Sequence, residues 1–197
     1  MFKRIFDIFF SFLGLIILFP LIVFVSFLIN FDSKGPIFFR QIRVGKNQKN
    51  FRVHKFRTMY CQSEKMGLIT TASDKRITKV GRWLRKFKID EIPQLIDVFQ
   101  GKMSFVGPRP EVPKYVKNYP EEVKKIIFSV KPGITDQASL KFKNENDLFT
   151  GNEESYENFY VKEILPKKLN LSIRNIKNQN LMNDILIIIK TIVKIFI

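Results

Sequence analysis

Cysteine, histidine and acid are all scarce in this sequence. One cysteine, Cys61, in 197 residues excludes an intrachain disulfide and a cysteine-based zinc site. A reducing cytoplasm is therefore allowed. The lone His54 lacks sequence partners for a metal site and reads as structural. Acids number 18 against 34 lysines and arginines, a formal net charge of +16. That surplus favours an anionic partner: nucleic acid, an anionic membrane or phosphorylated substrates. No internal repeat is present, and no helix-turn-helix, zinc finger or other nucleic-acid reader is recognisable, so no nucleic-acid partner is expected.

Charge is missing altogether from residues 8–31. Residues 8–29 are apolar except for Ser11, Gly14, Pro20 and Ser26. As a straight helix this stretch would be about 33 Å long, enough for a bilayer core of about 30 Å. No small-residue cleavage site follows it, which argues against a cleaved signal peptide. Pro20 near its middle removes a helix hydrogen bond and favours a kink. Both flanks are basic: Lys3 and Arg4 before, Lys34, Arg40, Arg43 and Lys46 after. The positive-inside rule keeps both ends in the cytoplasm. A single span and a hairpin broken at Pro20 are both open on this evidence. Asp7 at the entrance is expected to pair with a nearby Lys or Arg. The chain also holds 21 phenylalanines. Beside so many cations, they suit a membrane interface.

Residues 34–57 contain eight Lys or Arg and no acid. Stretches 36–44 and 51–56 have strand character and predict a short hairpin around Gly45-Lys46-Asn47-Gln48. Its charges form a solvated basic face, or Lys55 and Arg57 contact phosphate. Residues 77–87 predict a helix, with Ile77, Val80, Trp83, Leu84 and Phe87 on one side and Lys79, Arg82, Arg85 and Lys86 on the rest. Core packing and an interfacial position both fit that stripe. Next comes Asp90-Glu91-Ile92-Pro93-Gln94-Leu95, with Asp90 as N-cap and Gly101 as the stop. Ile92, Leu95, Ile96 and Phe99 form the expected buried face. By itself an Asp-Glu pair at a helix start commonly serves only as a cap. It also suits a carboxylate nucleophile beside a Mg²⁺-binding neighbour. In Gly107-Pro108-Arg109-Pro110-Glu111, prolines on both sides of Arg109 limit where its guanidinium points, and a fixed Arg suits phosphate. Lys131-Pro132-Gly133-Ile134-Thr135 is a second stiff turn.

Taken in order, these motifs resemble one family closely. Lys3-Arg4-Ile5-Phe6-Asp7, Gly35-Pro36-Ile37-Phe38-Phe39-Arg40-Gln41, Lys55-Phe56-Arg57-Thr58-Met59, the Asp90 segment, residues 101–110 and residues 131–135 together resemble the bacterial sugar transferases, the monotopic polyprenyl-phosphate phosphoglycosyl transferases. The resemblance covers residues 3–136. It implies an α+β, mostly helical fold: a re-entrant membrane helix-break-helix over residues 1–32, broken at Pro20, a cytoplasmic catalytic domain over 33–183 with a short β-hairpin and interfacial amphipathic helices, and a C-terminal amphipathic segment over 184–197. It implies a monotopic protein of the bacterial inner membrane, facing the cytoplasm. It also implies Mg²⁺ as cofactor, a UDP-sugar donor and an undecaprenyl phosphate acceptor. By resemblance, Asp90 attacks the sugar-bearing phosphorus and releases UMP, leaving a covalent aspartyl-phosphosugar. Glu91 joins Asp90 at Mg²⁺, Arg109 holds phosphate, and Arg85, Lys55 and Arg57 assist. The glycan started this way would be a capsule, O-antigen, exopolysaccharide or glycoprotein oligosaccharide.

The sequence departs from the family pattern in two places. Phe19 stands where Ser often precedes the break proline, which affects how the break is hydrogen-bonded. Asp136-Gln137-Ala138-Ser139 stands where many members continue with Gly and Trp-Ala-Gln, so sugar identity does not carry over. In the last third, residues 156–165 predict a helix ended or restarted at Pro166, with Tyr160, Lys162 and Glu163 on the surface. Residues 175–183 read as loop or frayed helix, and residues 184–197 as an apolar helix too short for an ordinary span. Membrane contact and docking on the domain fit that helix equally. The alternative to an enzyme is an inactive membrane-anchored scaffold or a module binding anionic lipid or nucleic acid.

Overall fold

A computed structural model describes residues 2–61, 63, 74–142 and 153–196. Its first element, α1, runs from Phe2 to Asp32 with Pro20 inside it. The segment expected as helix-break-helix is helical on both sides of Pro20, with no loop between. Only 11% of its most apolar window is buried in the protein. Phe9, Ile16, Ile17, Phe19, Phe24 and Phe27 are all exposed, so most of this surface is left uncovered by the described residues.

The two ends of α1 dock on the same body. At the start, Arg4 donates to the carbonyls of Val98 (2.7 Å) and Phe99 (2.8 Å), and Lys3 donates to that of Val106 (3.0 Å). Among the described residues, buried Asp7 forms no ion pair with Lys or Arg. It accepts instead from the Ser104 hydroxyl (3.1 Å) and the Phe105 N–H (3.2 Å), because the edge of a strand is the donor that faces it. At the far end, Val25 and Ile29 pack with Phe56 and Leu84, and Asp32 accepts from the Val80 N–H at 3.1 Å.

The predicted hairpin is present, with an interrupted ladder. β1 (Phe38–Phe39) pairs antiparallel with β4 (Lys55–Phe56), and β2 (Ile42–Val44) with β3 (Asn50–Arg52). A 3₁₀ turn, Lys46–Gln48, links β2 to β3, with Asn47 and Gln48 at positive φ. Next, α2 (Lys79–Lys86) is capped by Thr78, whose hydroxyl accepts from the Gly81 N–H at 3.0 Å. Leu84 is fully buried and Trp83 is 43% exposed, so the stripe divides between core and surface. A short helix, α3 (Gln94–Phe99), follows.

Two stiff turns read from sequence as loops form a parallel ladder. β5 (Ser104–Val106) pairs with β6 (Gly133–Thr135). A Cβ on Gly133 would lie 2.1 Å from the Gly107 nitrogen, and one on Gly107 would lie 2.4 Å from the Lys131 carbonyl. Glycine at both positions is therefore a steric requirement of this crossing.

The remaining elements are α4 (Pro113–Val116), α5 (Glu121–Ile127), α6 (Gln137–Lys141), α7 (Glu153–Phe159), α8 (Leu165–Lys177) and α9 (Leu181–Phe196). A π-helical turn, Tyr160–Ile164, joins α7 to α8, and Pro166 lies in the first turn of α8. Tyr115, Tyr119, Ile127, Phe128, Ile164 and Leu169 form the largest buried cluster. Tyr160, expected at the surface, belongs to it because its hydroxyl reaches Glu111 (2.6 Å). Asp136 caps α6, accepting from the Ser139 N–H (2.7 Å) and, with its other oxygen, the Ser172 hydroxyl (2.7 Å). α9 both docks and remains exposed: Asp184 and Ile187 are buried, while Met182, Leu186, Ile189 and Val193 face outward.

Candidate active site

Asp90 and Glu91 lie in a single 3₁₀ turn, Ile89–Glu91, ahead of α3. The expected N-cap role of Asp90 does not hold. Lys88 occupies the position before the turn, at φ 56° and ψ 19°, with no side-chain cap. A lysine in the left-handed region is unfavourable, and the turn it opens carries no side-chain cap from Asp90. The buried face of α3 is wider than expected, with Leu95 buried as predicted. Gln94, Asp97 and Val98 turn inward, while Phe99 is 42% exposed. The physical reason is α1, which covers the other face: Phe12 stacks on Phe99 at 5.9 Å, and Leu95 sits beneath Gly14. Asp97 turns inward because it accepts from the His54 N–H (2.7 Å) and meets the His54 ring nitrogen Nδ1 (2.8 Å). His54 is thus a structural group that fixes the strand carrying Lys55.

Around the carboxylates stand three cations from three elements. Lys55, on β4, bonds Glu91 Oε1 at 2.8 Å. Arg109, in the loop after β5, reaches Glu91 Oε1 at 2.6 Å and Oε2 at 3.4 Å. Arg85, on α2, donates to the Thr58 hydroxyl at 2.9 Å, and its charge acts on both carboxylates. The Arg109 side chain is 40% exposed against 11% for Glu91. The guanidinium therefore lies at the mouth of the site and the carboxylate beneath it.

The two acids differ in electrostatics. Burial pushes the Asp90 carboxyl above its ordinary range, and the Glu91 charge adds to the rise against Lys55, Arg85 and Lys88. Burial acts on Glu91 in the same sense, but Arg109 and Lys55 outweigh it and hold the group well below the usual carboxylate range. Burial also lowers Lys55 and Arg85, with Glu91 and Asp90 respectively opposing. Asp90 Oδ1 is buried with no hydrogen-bond partner among the described residues. A buried carboxylate oxygen without a donor marks a place for a cation or a proton.

A further layer, which sequence reasoning missed, supports Arg109. Arg43 donates to the Pro110 carbonyl (3.0 Å), to Gln41 Oε1 (2.6 Å) and to Glu111 Oε1 (3.3 Å). Glu111 also accepts from the Tyr160 hydroxyl. Both neighbours of Arg109 on the C-terminal side are thereby fixed. The adjacent Pro-Arg-Pro-Glu letters were visible in sequence, but their partners lie 49 to 68 positions away.

Of the predicted site residues, the structure brings together Asp90, Glu91, Lys55, Arg85 and Arg109. Arg57 is not among them. Its guanidinium donates to the carbonyls of Ile29 and Ser33 and to the Ser33 hydroxyl, closing the C-terminal end of α1. Only 5% of Arg57 is exposed. A helix end leaves carbonyls unpaired, and a buried guanidinium satisfies them, so Arg57 anchors the end of α1. Pro20 is exposed and directly precedes Leu21, which packs against the Val25 cluster.

The profile of the family described as bacterial sugar transferase matches residues 1–197. A UDP-N-acetylgalactosamine-undecaprenyl-phosphate N-acetylgalactosaminephosphotransferase of Aeromonas hydrophila is 35% identical over 96% of this chain and 42% of its own length. An undecaprenyl-phosphate glucose phosphotransferase of Komagataeibacter xylinus is 46% identical over 57% of this chain and 21% of its own length. A UDP-glucose:undecaprenyl-phosphate glucose-1-phosphate transferase of Klebsiella pneumoniae is 34% identical over all of this chain and 40% of its own length. The chain thus spans between 21% and 42% of the length of these relatives.

Proposed function

From the premise that the chain belongs to the bacterial sugar transferase family, we propose that it is a phosphoglycosyl transferase, moving a sugar-1-phosphate from a UDP-sugar to undecaprenyl phosphate. The observation that carries this reading is the buried Asp90–Glu91 pair, with opposite electrostatic tuning and three cations around it.

An oxygen of the ionised Asp90 carboxylate attacks the phosphorus bonded to the sugar. A P–O bond forms, and the bond from that phosphorus to the bridging oxygen breaks. UMP leaves with the electron pair. The phosphosugar is then held on Asp90 as an acyl phosphate. An oxygen of undecaprenyl phosphate attacks the same phosphorus and expels the carboxylate, giving a lipid diphosphate sugar. Arg109 at the mouth and Lys55 and Arg85 deeper in supply positive charge where phosphate oxygens gather. Glu91 holds Lys55 and Arg109 in place until substrate arrives.

The unpartnered Asp90 oxygen and the raised Asp90 carboxyl fit a cation, with Asp90 and Glu91 as its protein ligands. No group of three metal-type side chains occurs among the described residues. Few protein ligands suit Mg²⁺, which keeps waters and takes substrate phosphates. When bound, it would neutralise diphosphate charge.

The docking of both ends of α1 on one body supports a membrane hairpin that enters and leaves on one face. It leaves the exposed apolar middle, with Pro20, to enter lipid, and the catalytic domain outside 1–32 to lie in the cytoplasm. The scaffold alternative gains nothing from these features, since a scaffold has no need of a buried, unpartnered carboxylate. The reading is tested by incubating the nanodisc-held protein with Mg²⁺, undecaprenyl phosphate and a panel of UDP-sugars. UMP release with one donor is expected. Release of UDP would mean ordinary glycosyl transfer and overturn the mechanism.

A further inference from the structure

The Arg109 side chain bonds Glu91, but its backbone is tied down from elsewhere. The Pro108 carbonyl accepts from the Gly133 N–H (3.0 Å), and the Glu111 carbonyl accepts from the Val44 N–H (2.9 Å). Between them, the Pro110 carbonyl accepts from the Arg43 guanidinium at 3.0 Å. Arg109 therefore rides on a segment fixed at residues 108, 110 and 111. The two outer ties are ordinary backbone bonds. The one next to Arg109 comes from a charged side chain on β2, and charge-assisted bonds are the stronger kind.

An arginine at this place works against folding on two counts. Its side chain is only 20% exposed. Burial lowers its pKa, the Glu111 charge opposes that fall, and the Arg109 charge adds to it. An apolar residue would pack there with neither burden. The structure instead surrounds Arg43 with polar partners. Gln41 Oε1 accepts from one guanidinium nitrogen at 2.6 Å. Glu111 Oε1 accepts from the other (3.3 Å) and from the Val112 N–H (2.8 Å), while Oε2 accepts from the Tyr160 hydroxyl (2.6 Å). Both Glu111 oxygens are thereby engaged. Tyr160 belongs to the π-helical turn between α7 and α8, so the C-terminal helices reach the candidate site through this one hydroxyl. Two forces then act on the Arg109 guanidinium: Arg43 repels it and Glu91 draws it.

We propose that Arg43 is a positioning residue for the reaction, aiming Arg109 at the donor diphosphate through the Pro110 carbonyl, with Glu111 and Tyr160 as its support. The inference rests on the function proposed above, in which Arg109 meets phosphate. Arg43 is not itself a phosphate contact, since its two terminal nitrogens are taken by Pro110, Glu111 and Gln41. Its contribution passes through Arg109, because a guanidinium stabilises a transferring phosphoryl group only when its donors are already aimed.

The test is a double-mutant cycle on the nanodisc-held full chain, reading kcat/KM for UMP release from the UDP-sugar beside the melting temperature of each variant. Arg43→Lys keeps the charge facing Glu111 and replaces the planar fork by a point charge. With Arg109 present it should lower kcat/KM about tenfold. In an Arg109→Lys background, where the aimed guanidinium is already gone, the same change should lower it by no more than about twofold. The shift in melting temperature should be equal in the two backgrounds. Tyr160→Phe removes one hydroxyl and no charge, and serves if Arg43→Lys does not fold. It should lower kcat/KM about threefold, again only with Arg109 present. A loss of the same size in both backgrounds would make Arg43 a support of the fold alone and overturn the proposal. No loss with Arg109 present would overturn it as well. Failure of the wild type to release UMP from any donor would instead overturn the function proposed above, and the role of Arg43 with it.

Discussion

The segment from Lys88 to Glu111 and the helical layer of α5 and α8 are built on opposite terms. The layer buries Ile127, Phe128, Leu165 and Leu169, and its stability is that of close-packed apolar surface. The segment has one six-residue helix, one three-residue strand and a non-glycine residue at positive φ. It buries Asp90, Gln94 and Asp97, with an unpartnered oxygen on Asp90. One region is stable because its groups are satisfied. The other is reactive because one of its groups is not. Function thus lies where the fold is least regular, held by contacts from α1, β4 and the π-helical turn that carries Tyr160.

The sharpest way to break this comparison is Asp90→Asn. Loss of the nucleophile should lower turnover at least about 10³-fold. Because the folded pKa of Asp90 is raised, its charge opposes folding at neutral pH, and that penalty fades as pH falls through the folded pKa. The amide should therefore raise the melting temperature, by roughly 2–4 °C per kcal/mol recovered. A variant both inactive and less stable would mean that Asp90 holds the turn together.

Leu169→Ala in the helical layer should do the reverse. A cavity there costs about 2–5 kcal/mol, read as a lower urea midpoint, while turnover per folded molecule stays unchanged. Comparable loss of specific activity would show that the two regions are not separable.

Arg109→Lys keeps the charge and removes the paired N–H geometry. A fall in kcat/KM of about 10- to 100-fold with little change in melting temperature is expected. Steady-state kinetics against the UDP-sugar would check it, and an unaltered constant would remove Arg109 from the phosphate contacts.

The smallest effect concerns pH. The folded pKa of Glu91 lies below its unfolded value. Its contribution to stability is therefore present above the unfolded pKa and is lost as pH falls through the folded one. Melting curves of Glu91→Gln should accordingly fall less steeply with acid than those of the wild type. Parallel curves would contradict the shift.

The sequence exposed the chemistry of the site more fully than its shape. Asp90, Glu91, Lys55, Arg85 and Arg109 are near one another in the structure, and all but Arg85 belong to the ordered motifs that carry the family resemblance. Their conformation was harder to read. No propensity marks Lys88 for the left-handed region, and nothing local tells that Asp97 rather than Leu95 faces His54. The β5–β6 ladder was hidden because it joins two stiff turns by a long-range contact. The position of Arg57 was hidden for a related reason: a cation beside Lys55 suits phosphate equally well until its bonds to the carbonyls of Ile29 and Ser33 are seen. The α1 hydrophobic run was legible from composition, whereas the docking of its two ends depended on Arg4, Asp7 and Asp32 finding partners about 50 to 100 residues away.

The central claim is that Asp90 carries the phosphosugar. Its most direct test is intact-protein mass spectrometry after mixing the nanodisc-held protein with Mg²⁺ and its UDP-sugar, with no acceptor present. A mass increase of one phosphosugar is predicted, located on Asp90, absent in Asp90→Asn and discharged when undecaprenyl phosphate is added. UMP release on adding the acceptor without any such adduct, or an adduct that persists in Asp90→Asn, would contradict the account.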